Sequence, residues 1–292
     1  MTAATRRAVG RLAGVGLGWR PEIAGFVRDL PATGFALGFS EVVAESIHVH
    51  DGRAEVPQLL ADLRATGVPV VPHGIGLSLG GTDAVAPERV AHLAACATAL
   101  DAPLVSEHIA FVRAGGLEAG HLLPLPRTYE AVDAVVANVR RARNGLPVPL
   151  ALEPIAALFE WPDAQLTEAQ FVTEILERTD ALLLLDVANV YANARNSGRD
   201  PLVELRGFPL ERIAYCHVAG GSADASGLYH DTHTAPVPPA VLELVTELSA
   251  ELASHTGAWL LERDGDYPPA AVLRAGLDAL AAAADTGVGA PA

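Results

Sequence analysis

Eight short apolar segments recur along this chain, and most are separated from the next by a stretch with the spacing of an amphipathic helix. Alternating strands and helices indicate βαβ units, whose strands run parallel in one sheet. Eight such strands predict closure into a barrel, and the sequence contains neither GxGxxG nor GxxxxGK(S/T), the phosphate-binding turns typical of many open sheets. The predicted strands are Ala13–Trp19, Phe35–Val43, Val68–Ile75, Leu104–Ile109, Val148–Pro154, Ala181–Val187, Arg212–Val218 and Ala258–Arg263.

Helix-like segments occupy several intervals between these strands. Thr167 and Gln170 have the spacing of a capping box, and Pro87 opens its segment as proline does in a first helical turn. The predicted helices are Glu55–Thr66, Pro87–Leu100, Thr128–Arg143, Thr167–Arg178, Pro238–Ser254 and Pro268–Ala283.

The length of 292 residues suits a TIM barrel, which typically needs about 250 residues. Half of the residues are hydrophobic but only 5% are aromatic, so the core must consist mainly of Ala, Val, Leu and Ile. That composition is typical of parallel strands covered by helices. The prediction is an α/β fold, a single xylose-isomerase-like (β/α)8 TIM barrel over residues 1–292, with flexible ends at about 1–10 and 284–292.

Charge and cysteine content limit the partners and the compartment. The formal net charge of −15 repels phosphate backbones and anionic lipids, which argues against nucleic-acid and membrane partners. The N-terminal segment has no apolar run long enough for a signal peptide, and no other segment has the length of a transmembrane helix. Cys96 and Cys216 lie in apolar runs as packed thiols, so we expect a cytoplasmic protein.

The strongest functional signal is a polar residue at the end of one apolar strand after another. In a barrel, these carboxyl ends converge on one mouth, where barrel active sites lie. A dense ring of carboxylates repels itself, whereas bound cations and interleaved histidines relieve the repulsion. The predicted metal ligands at strand ends are His73, Glu107, Glu153, Asp186, His217 and Glu262, with Asn189 three residues after Asp186.

A second group of candidate ligands follows strand seven, in the sequence YHDTHT. Asp231 and His233 are two residues apart, so an extended segment points both side chains the same way. His108 directly follows Glu107, so alternation predicts that it faces elsewhere and supports the site rather than binding metal. Mixed His and carboxylate ligands suit Fe, Mn or Zn, and two or three ions could share a bridging Glu107 or Glu153.

Six sequence motifs, in order, resemble those of the multinuclear non-haem iron-dependent oxidative enzymes, the DUF692 family, which includes the methanobactin-biosynthesis oxidase. The resemblance runs from about Gly16 to the final helix. The motifs are HGIGLSLGG (73–81), VSEHIAF (105–111), LLDVANVYANARNSG (184–198), HVAG (217–220), DTHTAPV (231–237) and LLERD (260–264).

The resemblance implies a TIM barrel that holds two or three iron ions and uses O2 to modify residues, often Cys, in a ribosomally made precursor peptide. It also implies a small partner protein that binds the peptide leader. Carried over by motif, the metal ligands are His73, Glu107, Glu153, Asp186, Asn189, His217, Asp231, His233 and Glu262.

Four positions depart from the family pattern. Val43 stands where some members have a His ligand, and Ser46 stands where Asn is usual. Pro154 replaces the Asn of a Glu-Asn pair, and Gly221 replaces the last His of HLAGH. These departures bear on the number of metal ions and on the substrate chemistry.

Three other functions fit the same pattern. An endonuclease-IV-like barrel would hold zinc and cut phosphodiesters, although the net charge argues against that substrate. A sugar isomerase or epimerase of the xylose-isomerase type often has a Lys near its metal, and this chain contains no Lys. A non-catalytic protein could bind metal and hold a peptide as a scaffold without changing it.

Overall fold

The computed structural model describes residues 3–252 and 257–285, and eight parallel strands in this part of the chain close into one barrel. Each strand lies beside its neighbours in sequence, and β1 closes the ring by pairing with β8. The predicted (β/α)8 barrel is therefore confirmed. Its strands are β1 (Gly14–Trp19), β2 (Ser40–Val43), β3 (Val70–Gly74), β4 (Val105–His108), β5 (Leu150–Glu153), β6 (Leu182–Asp186), β7 (Ile213–Val218) and β8 (Ala258–Leu261).

Helices cover the outside of the barrel. Thr167 forms the predicted capping box with Gln170 at the start of its helix. Residues within the N-terminal segment 1–10 form a helix, whereas Ser254 and residues 286–292 lie outside the described residues. The helices are α1 (Ala3–Val9), α2 (Ala24–Asp29), α3 (Gln58–Ala65), α4 (Pro87–Ala99), α5 (Tyr129–Gly145), α6 (Glu168–Thr179), α7 (Val187–Asn196), α8 (Pro201–Arg206), α9 (Pro239–Leu252) and α10 (Ala270–Ala284).

Strand alternation divides the core into two parts. On β6, Leu183 and Leu185 pack outward in the large cluster that includes the helices, whereas Leu182 and Leu184 belong to a separate cluster inside the barrel. Val9 and Leu12 join this inner cluster from the segment that precedes β1. The inner cluster fills the amino-terminal end of the barrel with apolar side chains, so polar groups inside the barrel lie toward its carboxyl-terminal mouth.

The strand register brings candidate ligands to the same level at the mouth. Asp186 of β6 pairs with His217 of β7, and His108 of β4 pairs with Glu153 of β5. Three short antiparallel hairpins follow β2, β4 and β7 within the described residues, and none was predicted from the sequence. They are His48–His50 with Arg53–Glu55, Phe111–Ala114 with Leu117–Leu123, and Ser222–Ala223 with Tyr229–His230. None of the described helices combines the length and the apolar character that a membrane span requires.

Candidate metal centre

Four buried side chains from four strands meet at the centre of the mouth. Glu153, Asp186, His217 and Glu262 each offer one nitrogen or oxygen atom, and these four atoms lie within 4.8 Å of one another. None of the four residues is more than 6% exposed. Two positions before each of them, on β5, β6, β7 and β8, the side chain belongs to the cluster inside the barrel. Because alternate side chains of a strand point the same way, these four residues also point into the barrel. We call these four residues the central set.

Three further sets surround the central set and share members with it. Within each of these sets, the ligand atoms again lie within 4.8 Å of one another. Glu153 and Asp186 each belong to two sets, as do Glu262 and His233, so each could connect neighbouring cations. The surrounding sets are His73, His108 and Glu153; Asp186, Asp231 and His233; and His233, Glu262 and Asp264.

Several buried atoms of these sets lack a hydrogen bond. Among the described residues, Glu153 Oε2, Asp186 Oδ2 and His217 Nδ1 have no hydrogen-bond partner, and neither do Asp231 Oδ1 and His233 Nδ1. Leaving a buried polar atom unpaired costs about 1–3 kcal/mol, more for charged groups. Because the residues that carry these atoms belong to overlapping sets of possible ligands, bound cations would satisfy the atoms, so the residues present fit a metal centre.

The spacing of the ligand atoms supports the same conclusion. His217 Nδ1 lies 2.9 Å from Glu262 Oε2 and 3.3 Å from Glu153 Oε1, yet neither contact is a hydrogen bond. His233 Nδ1 lies 3.1 Å from Glu262 Oε2. Neighbouring ligands of an octahedral ion with bonds of about 2.1 Å are roughly 3 Å apart. The lone pairs therefore converge as they do around a shared ion.

The electrostatics of the mouth differ between its two sides. Burial and the neighbouring His217 lower the pKa of His73 to about 3, and burial with His73 lowers the pKa of His108 to about 3. Burial also opposes protonation of His217, but the carboxylates of Glu41, Glu262 and Glu153 outweigh it and raise the pKa of His217 well above its usual value. His73 and His108 are thus neutral donors ready for a metal, whereas a cation must displace a proton from His217.

Arg20 holds two carboxylates at the edge of the centre. Its guanidinium lies 3.0 Å from Glu262 Oε1 and 2.7 Å from Asp264 Oδ1. The second oxygen of each carboxylate faces His233 Nδ1, at 3.1 Å for Glu262 and 3.2 Å for Asp264. Arg20 therefore neutralises part of the acidic cluster and orients both groups toward the site. Arg20 and Asp264 were missed from the sequence, although Asp264 lies two residues after Glu262.

Glu107 lies outside every set, unlike its neighbour His108. Its two carboxylate oxygens accept hydrogen bonds from the backbone N–H groups of Leu77 and His108, each at 2.9 Å. His108 Nε2 lies 3.3 Å from Glu153 Oε2, within a possible ligand set. Alternation correctly predicts that residues 107 and 108 face opposite ways, but the inward side chain is His108. His108 is therefore a candidate ligand, whereas the sequence predicts only a supporting role for it.

Asn189 also lies outside the sets, although it lines the mouth. Its side-chain amide donates to the carbonyl of Pro154, and its backbone N–H donates to Asp186 Oδ1. Asp186 is thus the N-cap of α7 through Oδ1. Its other oxygen, Oδ2, lies 3.6 Å from His233 Nε2. The helix N-terminus stabilises the charge of this carboxylate.

Two of the departures from the family pattern have clear structural consequences. Val43 lines the mouth with an apolar side chain, where a histidine would add a ligand. A Cβ atom at Gly221 would lie 2.2 Å from the carbonyl oxygen of His230, so no histidine fits there without a change in the backbone. Glycine at position 221 therefore allows the second strand of the hairpin after β7 to pack directly against the backbone here.

A cavity of about 660 Å³ opens directly above these residues. Its floor carries His73, His108 and Glu153, and its wall includes segments that follow β5 and β7. Leu158, on the segment that follows β5, lines this cavity and is 57% exposed. The buried cluster is therefore reached from solvent through this cavity.

Comparison with known proteins gives a consistent match. The family described as RiPP precursor modification enzyme MbnB/TglH/ChrH matches residues 14–285 (RiPPs are ribosomally synthesised and post-translationally modified peptides). A UPF0276 protein of Streptomyces avermitilis is 48% identical over 283 residues, which are 94% of this chain and 55% of that protein. A UPF0276 protein of Rhizorhabdus wittichii is 38% identical over 260 residues, 88% of this chain and 90% of that protein. The chain thus spans about half the length of the Streptomyces relative.

Solved structures resemble this chain in fold. A xylose isomerase domain containing protein of Salmonella typhimurium superposes with a TM-score of 0.60 at 12% identity, covering 97% of this chain and 99% of that one. At that identity the likeness concerns the fold alone, and it bears out the predicted xylose-isomerase-like barrel.

Proposed function

The chain belongs to the family of RiPP precursor modification enzymes MbnB/TglH/ChrH, and we propose that it is a multinuclear non-haem iron-dependent oxidase acting on such a precursor peptide. The peptide residue to be modified is Cys, O2 is the co-substrate, and a small partner protein binds the leader. The reaction takes place in the cytoplasm. As ligands we propose the seven predicted residues that fall in the clustered sets, with His108 and Asp264 added and with Glu107 and Asn189 left out.

One observation carries this proposal: four overlapping sets of His and carboxylate atoms meet on the floor of one cavity. Because Glu153, Asp186 and Glu262 are shared between sets, two or three ions can lie close together and be joined by carboxylates. Mixed nitrogen and oxygen donors suit Fe, with Zn or Mn as alternatives. Cys216, the cysteine next to His217, packs in the outer core, so no thiolate joins the donors.

When bound, iron supplies the one-electron and O2 chemistry that amino-acid side chains lack. The protein contributes position and environment. Glu153, Asp186, His217 and Glu262 would hold an ion at the centre of the mouth, and Arg20 offsets the negative charge of Glu262 and Asp264. The cavity is large enough for a short peptide segment, which would lie against the apolar side chains of Val43, Ile155 and Leu158.

The first test is metal content. Protein is purified without oxygen from iron-supplemented cells, and iron per chain is measured by elemental analysis beside His217→Ala and Asp186→Ala. We expect two or three irons in the wild type and fewer in both variants. His50→Ala and Asp62→Ala serve as controls, because neither residue belongs to a ligand set. His50 is exposed in the first hairpin, and Asp62 accepts a hydrogen bond from Gln58 on α3. Equal iron in all five proteins would refute the assignment.

The second test is O2 consumption with a Cys-containing precursor peptide and its leader-binding partner. Uptake of O2 with a mass change in the peptide supports the oxidase. Zinc alone, with phosphodiester cleavage, would instead indicate the endonuclease-IV-like reaction. Conversion of a sugar would indicate an isomerase, and bound iron without O2 uptake would indicate a scaffold.

A further inference from the structure

A chain of hydrogen bonds runs inside the barrel, directly beneath the metal centre. His73 Nδ1 lies 2.8 Å from Ser106 Oγ, and Ser106 Oγ lies 2.8 Å from the hydroxyl of Tyr215. That hydroxyl lies 2.5 Å from Glu41 Oε2, and His217 Nε2 lies 2.9 Å from the same oxygen. None of the five residues is more than 2% exposed. Two histidines of the centre are therefore joined by one buried network.

The direction of each hydrogen bond follows from the number of protons available. Tyr215 donates its only hydroxyl proton to Glu41 Oε2, so toward Ser106 it can only accept. Ser106 then donates its only proton to Tyr215 and must accept from His73. His217 Nε2 lies against the oxygen that already accepts from the Tyr215 hydroxyl, and its N–H donates there as the second donor.

The remaining ring nitrogens both face the metal centre. His73 Nε2 lies 3.4 Å from Glu153 Oε2. His217 Nδ1 lies 3.3 Å from Glu153 Oε1 and 2.9 Å from Glu262 Oε2, and it makes no hydrogen bond within the part of the chain that the structure describes. The two histidines thus present opposite nitrogens, Nε2 of one and Nδ1 of the other, to the two oxygens of Glu153.

We propose that Glu41, Tyr215 and Ser106 are positioning residues that fix His73 as the Nδ1–H tautomer and His217 as the Nε2–H tautomer. A neutral imidazole can bind metal only through its unprotonated nitrogen, and the partner of the other nitrogen decides which one that is. Glu41 ends both branches of the network, so one carboxylate sets the ligand atom of both histidines. The same carboxylate explains a tyrosine hydroxyl in an otherwise apolar inner cluster.

The tautomers can be measured by two-bond ¹H–¹⁵N correlation spectra of protein labelled at histidine nitrogen. His73 is assigned by its loss in His73→Gln, first in metal-free protein and then with zinc as a diamagnetic probe. We expect the proton on His73 Nδ1 in both states and on His217 Nε2 with zinc. A proton on His73 Nε2 would overturn the proposal. Because the metal-free measurement needs neither iron nor peptide, it can succeed or fail independently of the proposed oxidase function.

Two variants test whether the network causes the tautomer. In Tyr215→Phe, Ser106 loses its acceptor and is free to donate to His73, so the tautomer ratio of His73 should shift toward Nε2–H by roughly fivefold. Ser106→Ala should shift it as well, because the acceptor of Nδ1 is gone. Zinc affinity should fall about 10- to 100-fold in both variants.

Ser249→Ala is the matched control, since it removes a buried serine hydroxyl of α9 that has no hydrogen bond in the described part of the chain. It should leave both the tautomer of His73 and zinc affinity unchanged. If Tyr215→Phe does not fold, Ser106→Ala decides the question alone. Wild-type tautomer ratios and zinc affinity in a folded Ser106→Ala would overturn the proposal.

Discussion

The two ends of the barrel interior are built from the same strands but differ in chemistry. At the amino-terminal end, Leu182, Val71 and Leu104 pack with Val9 and Leu12 into a closed apolar cluster. At the mouth, only a few residues further along, equally buried positions carry carboxylates and imidazoles with unpaired atoms. Burial of apolar surface at the first end stabilises the folded state. Burial of unpaired polar atoms at the mouth destabilises it unless a cation binds there.

A second contrast lies within the mouth itself, between two buried glutamates of neighbouring strands. The oxygens of Glu107 are satisfied by backbone N–H groups, so this carboxylate ties the loop that follows β3 to β4. Glu153 has an unpaired oxygen and faces three histidines, His73, His108 and His217. Burial alone therefore does not mark a ligand, because the difference lies in where the lone pairs point.

The largest effect is expected from the apolar end. Leu182 is 1% exposed and lies four residues, about 13 Å, before Asp186. Leu182→Ala should lower the free energy of unfolding by about 2–5 kcal/mol through loss of buried surface and a residual cavity, with metal content per chain unchanged. Denaturant unfolding and elemental analysis measure the two quantities. Leu117→Ala, at a 76% exposed leucine, is the control for stability, and metal loss in Leu182→Ala would show that the two ends are not independent.

Metal removal tests the polar end. A cation that binds only the folded state, at a free concentration about 1,000 times its Kd, adds roughly 4 kcal/mol to the free energy of unfolding. Chelation should remove that contribution from the wild type and have a smaller effect on Asp186→Ala, which should hold fewer ions. Denaturation with and without chelator measures the difference. Identical curves for the wild type would mean that no cation stabilises the mouth.

The same substitution at Glu153 and at Glu107 should have different effects on metal content and on stability. Glu153→Gln should lose at least one metal ion per chain, because an amide is a weaker ligand at a position shared by two sets. Glu107→Gln should keep the metal but lower the free energy of unfolding by about 1–3 kcal/mol, since its NH2 group would face backbone donors. Elemental analysis and denaturation distinguish the outcomes, and metal loss in Glu107→Gln would restore this residue to the ligand set.

The smallest effect is expected at the surface beyond the mouth. Hydrogen bonds from Arg199 and Arg127 lower the pKa of Glu160 to about 2, below its ordinary 4.5. The folded state therefore binds fewer protons than the unfolded state, and this stabilisation is complete above pH 4.5 and lost as the pH falls toward 2. Because Glu160 is partly exposed to solvent, which screens its contacts with the two arginines, Glu160→Gln should lower the free energy of unfolding by only about 0.5 kcal/mol at pH 7 and not at all near pH 2.

The opposite pH dependence is expected for Glu107, because burial and the nearby Glu45 raise its pKa to about 8. Its folded state binds more protons than the unfolded state between pH 4.5 and 8, so the free energy of unfolding falls as pH rises through that range. Unfolding of metal-free wild type, Glu160→Gln and Glu107→Gln across pH measures both slopes. Equal slopes in the three proteins would contradict both assignments.

Much of the fold could be predicted because local patterns and the global topology agree. Apolar runs of strand length separated by helical segments leave few arrangements other than a closed parallel barrel, and residues that end such strands must meet at one mouth. Seven of the nine predicted ligands, all except Glu107 and Asn189, fall in the clustered sets for that reason. Asp231 and His233 also meet in one set, but His233 has left-handed backbone with φ 53°, so the extended segment predicted here does not form.

Only the tertiary structure decided which face of each strand end is the inner one. Residues 107 and 108 must face opposite sides, but the choice between them depends on Val105 packing outward and on the loop after β3 binding Glu107. Likewise, Arg20 and Glu262 are 242 positions apart in sequence, and they meet because β1 closes the barrel against β8. The sequence alone determined the barrel and the chemistry of its mouth, since both follow from local periodicity. The tertiary structure determined which lone pairs converge, since that depends on closure and register.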